Sequence, residues 1–177
     1  MENSFYYFFS AVPQVLGGVL ALFGVFVVFK IQTLKARLLG IGNAVILKIQ
    51  DKINVLEIIN NEDKRATLSN IQTYIEKSDI EGLYEIMKLL TNAQVTIFRD
   101  NYQTTYSFLK DLINNTVKAS IYTALVVVLT LTLIPFGTFF LNHIILLYVL
   151  FAVVILAIGG CFYLLVSILK IALNTGK

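Results

Sequence analysis

The side chains able to do chemistry in this chain are few and scattered. The one histidine, His143, stands between two long apolar runs, and the one cysteine, Cys161, lies inside the second of them. A Cys/His or Ser/His/Asp nucleophile needs its base within hydrogen-bond reach, and a zinc site needs three or four such ligands, so neither is expected. Two carboxylate pairs, Glu62/Asp63 and Glu81/Glu85, have the arithmetic of a general acid and base. The first falls in a polar stretch and the second is spaced one helical turn, so both are read as solvent-facing. No phosphate-binding glycine loop occurs: Gly40-Ile41-Gly42 lacks the further glycine and the preceding strand of a dinucleotide fingerprint. The reading is a protein without catalytic chemistry, cofactor or metal. His143 as an external pH sensor competes with a plainer role as a polar residue of a turn.

Composition explains this poverty. Of 177 residues 57% are hydrophobic and 14% charged, with a mean hydropathy of +0.77, which excludes an ordinary soluble domain. An unbroken apolar run extends from Phe5 to Phe29 and stops at Lys30. Its 25 residues reach about 37 Å as helix, more than the ~30 Å of bilayer hydrocarbon. Without a basic leader, and longer than a signal core, it reads as an uncleaved anchor. Two more runs, Ser120 to Leu141 and Ile144 to Leu169, are separated by Asn142 and His143 alone, the pattern of a membrane hairpin.

Charge supplies an orientation. Twelve of the 14 Lys and Arg residues lie between Lys30 and Lys118, and the others are Lys170 and Lys177. The positive-inside rule then puts the N-terminus and the 142–143 turn outside and the middle of the chain in the cytoplasm. The expected fold class is an all-α integral membrane protein with three spans and a cytoplasmic helical bundle inserted between the first and second. Its parts are residues 1–30, the first span; 31–118, the cytoplasmic helices; 119–172, the hairpin; and 173–177, a cytoplasmic tail.

Within the first span Ser10, Gln14, Gly17, Ala21 and Gly24 recur at intervals of 4, 3, 4 and 3 and share one helical face. Small residues of this kind either let helices pack closely or line a watery path in an oligomer, with Gln14 its most polar point. Pro13 is expected to kink this helix and Gly40 and Gly42 to bend it. In the hairpin Thr123, Thr130 and Gly137 repeat every seven residues, and Ala152, Gly159 and Gly160 are small; all six are read as helix-packing positions. Neither hairpin helix holds an acid or base before Lys170, which argues against proton-coupled transport.

Between the spans, Ile31, Leu34, Leu38, Val45, Ile49 and Ile53 recur at helical spacing, as do Phe98, Tyr102, Tyr106 and Leu109. These are the candidate core or subunit interface of the cytoplasmic part. Residues 60–65 read as a loop, 67–77 as a short helix, and Ser78-Asp79-Ile80-Glu81 as a capping box starting another; Thr91-Asn92-Ala93-Gln94 repeats that signature. The middle segment carries 12 basic and 10 acidic residues, so no concentrated basic surface for nucleic acid exists. The expected partners are membrane lipids, further copies of the chain, and a soluble cytoplasmic protein. The leading expectation is a homo-oligomer that forms or gates a pore or perturbs permeability. The alternative is a non-conducting anchor whose bundle recruits a soluble partner. By analogy of architecture alone, both fit small accessory or effector proteins of bacterial inner membranes.

Overall fold

The computed structural model describes residues 2–50, 61–90 and 93–174, with backbone alone at 2, 49–50, 61–65, 93–95 and 174. Every element among them is helical: α1 Glu2–Gln50, α2 Asn61–Glu76, α3 Ile80–Leu89, α4 Ala93–Leu133, a 3-10 turn Ile134–Phe136, α5 Gly137–Asn142 and α6 Ile144–Asn174. Three stretches are long and apolar enough to cross a membrane, one each in α1, α4 and α6. The chain is an all-α membrane protein.

By its contacts the chain divides into two units, residues 1–29 with 112–177, and 30–111. The first division falls where the apolar run meets Lys30.

In the first unit aromatic and branched side chains make the core. Phe5, Phe9, Leu147 and Val154 form one buried cluster, and Val12, Leu16, Val126 and Cys161 another. Phe5 and Phe9 stack with ring centroids 4.5 Å apart, and Phe151 meets Phe8 at 4.7 Å. The helix continues through Pro13, which withholds an amide from the ladder without ending it. Pro135 acts differently. It opens the 3-10 turn, after which α5 and the single non-helical residue His143 return the chain into α6.

The second unit is built on Leu34, Leu38, Val45, Ile71, Leu83, Met87, Leu90, Tyr102 and Leu109, all buried. Three sequence expectations need correction here. Gly40 and Gly42 do not interrupt α1, which runs as helix to Gln50. A Cβ on Gly42 would lie 3.0 Å from both Ile75 Cδ1 and Leu83 Cδ2, so this glycine serves close approach. Residues 61–65 are the first turns of α2 and not a loop. The N-cap of α3 is Asp79, whose carboxylate accepts from the Gly82 amide at 3.0 Å, and not Ser78. Ser78 instead closes α2 with φ of 54°, while the Asp79 amide reaches back to the Tyr74 carbonyl at 2.8 Å, a Schellman arrangement.

Candidate functional site

The face defined by Ser10, Gln14, Gly17, Ala21 and Gly24 is the first candidate. Along α1 the buried row is Phe5, Phe9, Val12, Leu16 and Val27. At about 100° per residue the small-residue row lies roughly a third of a turn away from it. Gln14, Gly17 and Ala21 are exposed, and Ser10 and Gly24 are half-buried. Nothing lies within 4 Å of a Cβ built on Gly17, Gly18 or Gly24. Within the unit, therefore, the helix contacts of α1 are made by its aromatic and branched residues, and the small residues look outward.

The polar atoms on the spans divide into two kinds. Ser10 Oγ donates to the Tyr7 carbonyl at 3.1 Å, Thr123 Oγ1 to Ala119 at 2.8 Å, Thr130 Oγ1 to Val126 and Val127 at 3.0 and 2.9 Å, and Thr132 Oγ1 to Leu129 at 2.8 Å. Each hydroxyl is satisfied by its own helix. Gln14, like Thr138 and Ser167, forms no side-chain hydrogen bond among the described residues, and of the three it alone carries an amide. It stands three residues from the centre of the Phe5-to-Phe29 run.

The other candidates fall into place as follows. Thr123 and Thr130 are buried. Gly137 is buried under Phe5 and Tyr6, and Gly160 faces Tyr122, whose hydroxyl would be 2.8 Å from a Cβ there. Ala152 and Gly159 are exposed, and space at Gly159 is open. In the second unit Leu34, Leu38, Val45, Tyr102 and Leu109 are core, while Ile31, Phe98 and Tyr106 are half-buried. The side chains of Ile49 and Ile53, and of the Glu62/Asp63 pair, lie outside the described set.

The structure also assembles a groove that the spacing of the sequence did not single out. Glu81, Tyr84, Glu85, Lys88, Tyr106 and Lys110 line about 660 Å³ on the second unit. Tyr84 stacks on Tyr106 with centroids 4.2 Å apart, and Tyr106 Oη donates to Glu81 at 3.4 Å. Lys88 Nζ sits 4.5 Å over the Tyr84 ring and 3.0 Å from Glu85, a hydrogen bond that raises the lysine's pKa. These groups engage one another. Glu81 and Glu85 thus meet a tyrosine and a lysine. No group of three or more His, Cys, Asp or Glu among the described residues is arranged to hold a metal.

Compared with known proteins, the chain matches no family model, no curated protein and no solved structure.

Proposed function

We propose that the chain is a homo-oligomeric, multi-pass membrane protein that forms or gates a pore, or alters membrane permeability, without catalytic chemistry. In this reading the N-terminus and the His143 turn lie outside the cell, and residues 31–118 form a cytoplasmic helical bundle. Orientation rests on the placement of Lys30, Lys118 and Lys170 at the ends of the apolar runs.

The observation that carries the assembly is Gln14. An amide facing hydrocarbon without a hydrogen bond costs several kcal/mol, on the order of 2–7. A second copy of α1, or water held between copies, removes that cost. The open space beside Gly17, Gly18 and Gly24 is where a neighbouring helix fits closely.

The test is the mass of the particle in nanodiscs, by native mass spectrometry, followed by conductance in planar bilayers. The expected results are a defined oligomer and a conductance lost when Trp replaces Gln14 while the particle mass is kept. A strictly monomeric, silent protein overturns the proposal.

A second reading, a non-conducting anchor for a soluble partner, is favoured by one observation. Leu47, Leu89 and Ile97 of the second unit are exposed large hydrophobic side chains that a soluble partner would cover. An oligomer that loses its mass, rather than its conductance, on Trp substitution supports this reading instead.

A further inference from the structure

Beyond Glu2 at its first position, the charges on α1 are of one sign. From Asn3 to Gln50 this helix carries Lys30, Lys35, Arg37 and Lys48 and no acidic residue. Lys35, Arg37 and Lys48 are exposed and Lys30 is half-buried. Among the described residues none of the four enters an ion pair, whereas cations further along the chain do, Lys88 with Glu85 and Arg99 with Asp100.

Their placement follows from the helix. Lys30 directly follows the apolar run, and at 1.5 Å per residue Lys35 and Arg37 stand only about 7 and 10 Å beyond it. The headgroup layer on one side of a bilayer is roughly 5–8 Å thick, and long basic side chains reach back toward it. Around the axis, Lys30 and Arg37 are seven residues apart, hence on one flank of the buried row Leu34, Leu38 and Val45; Lys35 lies on the other flank. The three cations therefore straddle the core contact and point to solvent or headgroup on both sides. Lys48 is about 27 Å along, beyond the reach of a surface potential that decays over about 8–10 Å.

We infer that Lys30 and Arg37 on one flank of α1, and Lys35 on the other, each hold anionic phospholipid headgroups of the bilayer that α1 crosses. Phosphodiester oxygens supply the acceptors that the described residues do not place beside these cations. Arg37 offers a bidentate fork and the lysines point charges. Headgroup binding needs α1 to cross the bilayer and does not need the protein to conduct or to oligomerise.

The test is the purified full-length protein in detergent, titrated with phosphatidylglycerol or phosphatidylcholine, with retained lipids counted by native mass spectrometry. Each cation near an anionic surface gives about a fivefold preference, so the wild type is expected to favour phosphatidylglycerol by tens of fold. The preference falls toward parity in K30Q/K35Q/R37Q, survives in K30R/K35R/R37K, and is unchanged in K48Q. Should the triple variant not fold, K35Q alone, at an exposed position off the buried row, is expected to lose about fivefold. Equal retention of the two lipids by the wild type, or an undiminished preference in K30Q/K35Q/R37Q and in K35Q, overturns the proposal. So does full competition by inorganic phosphate, which marks a free-anion site and not a membrane one.

Discussion

Two glycines on the membrane helices, Gly17 and Gly160, separate assembly from folding. A leucine at Gly17 starts into open space, since no atom outside the local helix backbone lies within 4 Å of the Cβ position, and it gains about 1 kcal/mol of helix propensity over glycine. The protomer should fold as before or slightly better. In an assembly whose neighbouring helix seats against Gly17 and Ala21, the same side chain overfills the contact, at a cost of about 1–3 kcal/mol for each. That is roughly 5- to 150-fold in the association constant per contact, and a closed ring repeats the contact at every subunit.

Gly160 is the control. A Cβ there lies 2.8 Å from Tyr122 Oη and 3.3 Å from its Cε1 and Cζ, so leucine must push the ring aside. The ring is 37% exposed and can partly yield, which places the penalty at about 1–3 kcal/mol and inside the protomer. Y122A in the same chain should recover most of it. Native mass spectrometry over a dilution series reads association, and amide exchange along α6 reads the hairpin. G17L should weaken association with α6 protection unchanged, and G160L should lower α6 protection. Wild-type association in G17L, or loss of α6 protection matching that of G160L, would refute the reasoning.

Four further outcomes concern the second unit, each read by amide exchange in α3. Y102F removes the 3.0 Å hydrogen bond to the Ile80 carbonyl and should speed exchange at Leu83 and Met87 about fivefold, for a loss near 1 kcal/mol. Y102A empties a fully buried ring site and should cost about 3–5 kcal/mol, with α3 protection largely gone. D79A removes the N-cap, at about 1 kcal/mol, while S78G relaxes a φ of 54° and should stabilise by up to about 1 kcal/mol; the two should roughly cancel when combined. G82A drives a methyl into the Tyr74 ring and against Asp79 Oδ2 at 2.9 Å, and should be destabilising until Tyr74 is shortened to alanine.

What was legible in the sequence was the existence of the helices. Their faces were harder to read, because in a membrane the core and the lipid are equally apolar and hydropathy cannot distinguish them. Phe5, Phe9, Val12 and Leu16 look no more apolar than Val15, Leu22 or Val25, yet the first set is buried and the second exposed. The glycines misled for a related reason. Gly42 breaks helices in propensity tables, but its other property, the missing Cβ, is what Ile75 and Leu83 exploit. At Ser78 and Asp79 the capping signature was present one residue out of frame. Both residues can cap, and only the left-handed backbone at Ser78, already committed to closing α2, gives the role to Asp79. The Tyr84–Tyr106 stack was invisible because it joins residues 22 positions apart on different helices.

The number of copies decides what Gln14 does. A primary amide has two donor hydrogens and an acceptor oxygen. In a two-fold dimer the two Gln14 amides can pair with each other through two reciprocal hydrogen bonds, which satisfies the acceptors and leaves a dry, close-packed contact at Gly17 and Ala21. In a ring of four or more, each amide reaches one neighbour in one direction, and the remaining donor and acceptor turn toward the axis, where water is the available partner. A dimeric particle therefore argues for packing and for the anchor. A larger ring argues for a hydrated axis, and then Gln14→Met, which keeps the length of the side chain but not its polarity, should close the path without changing the mass.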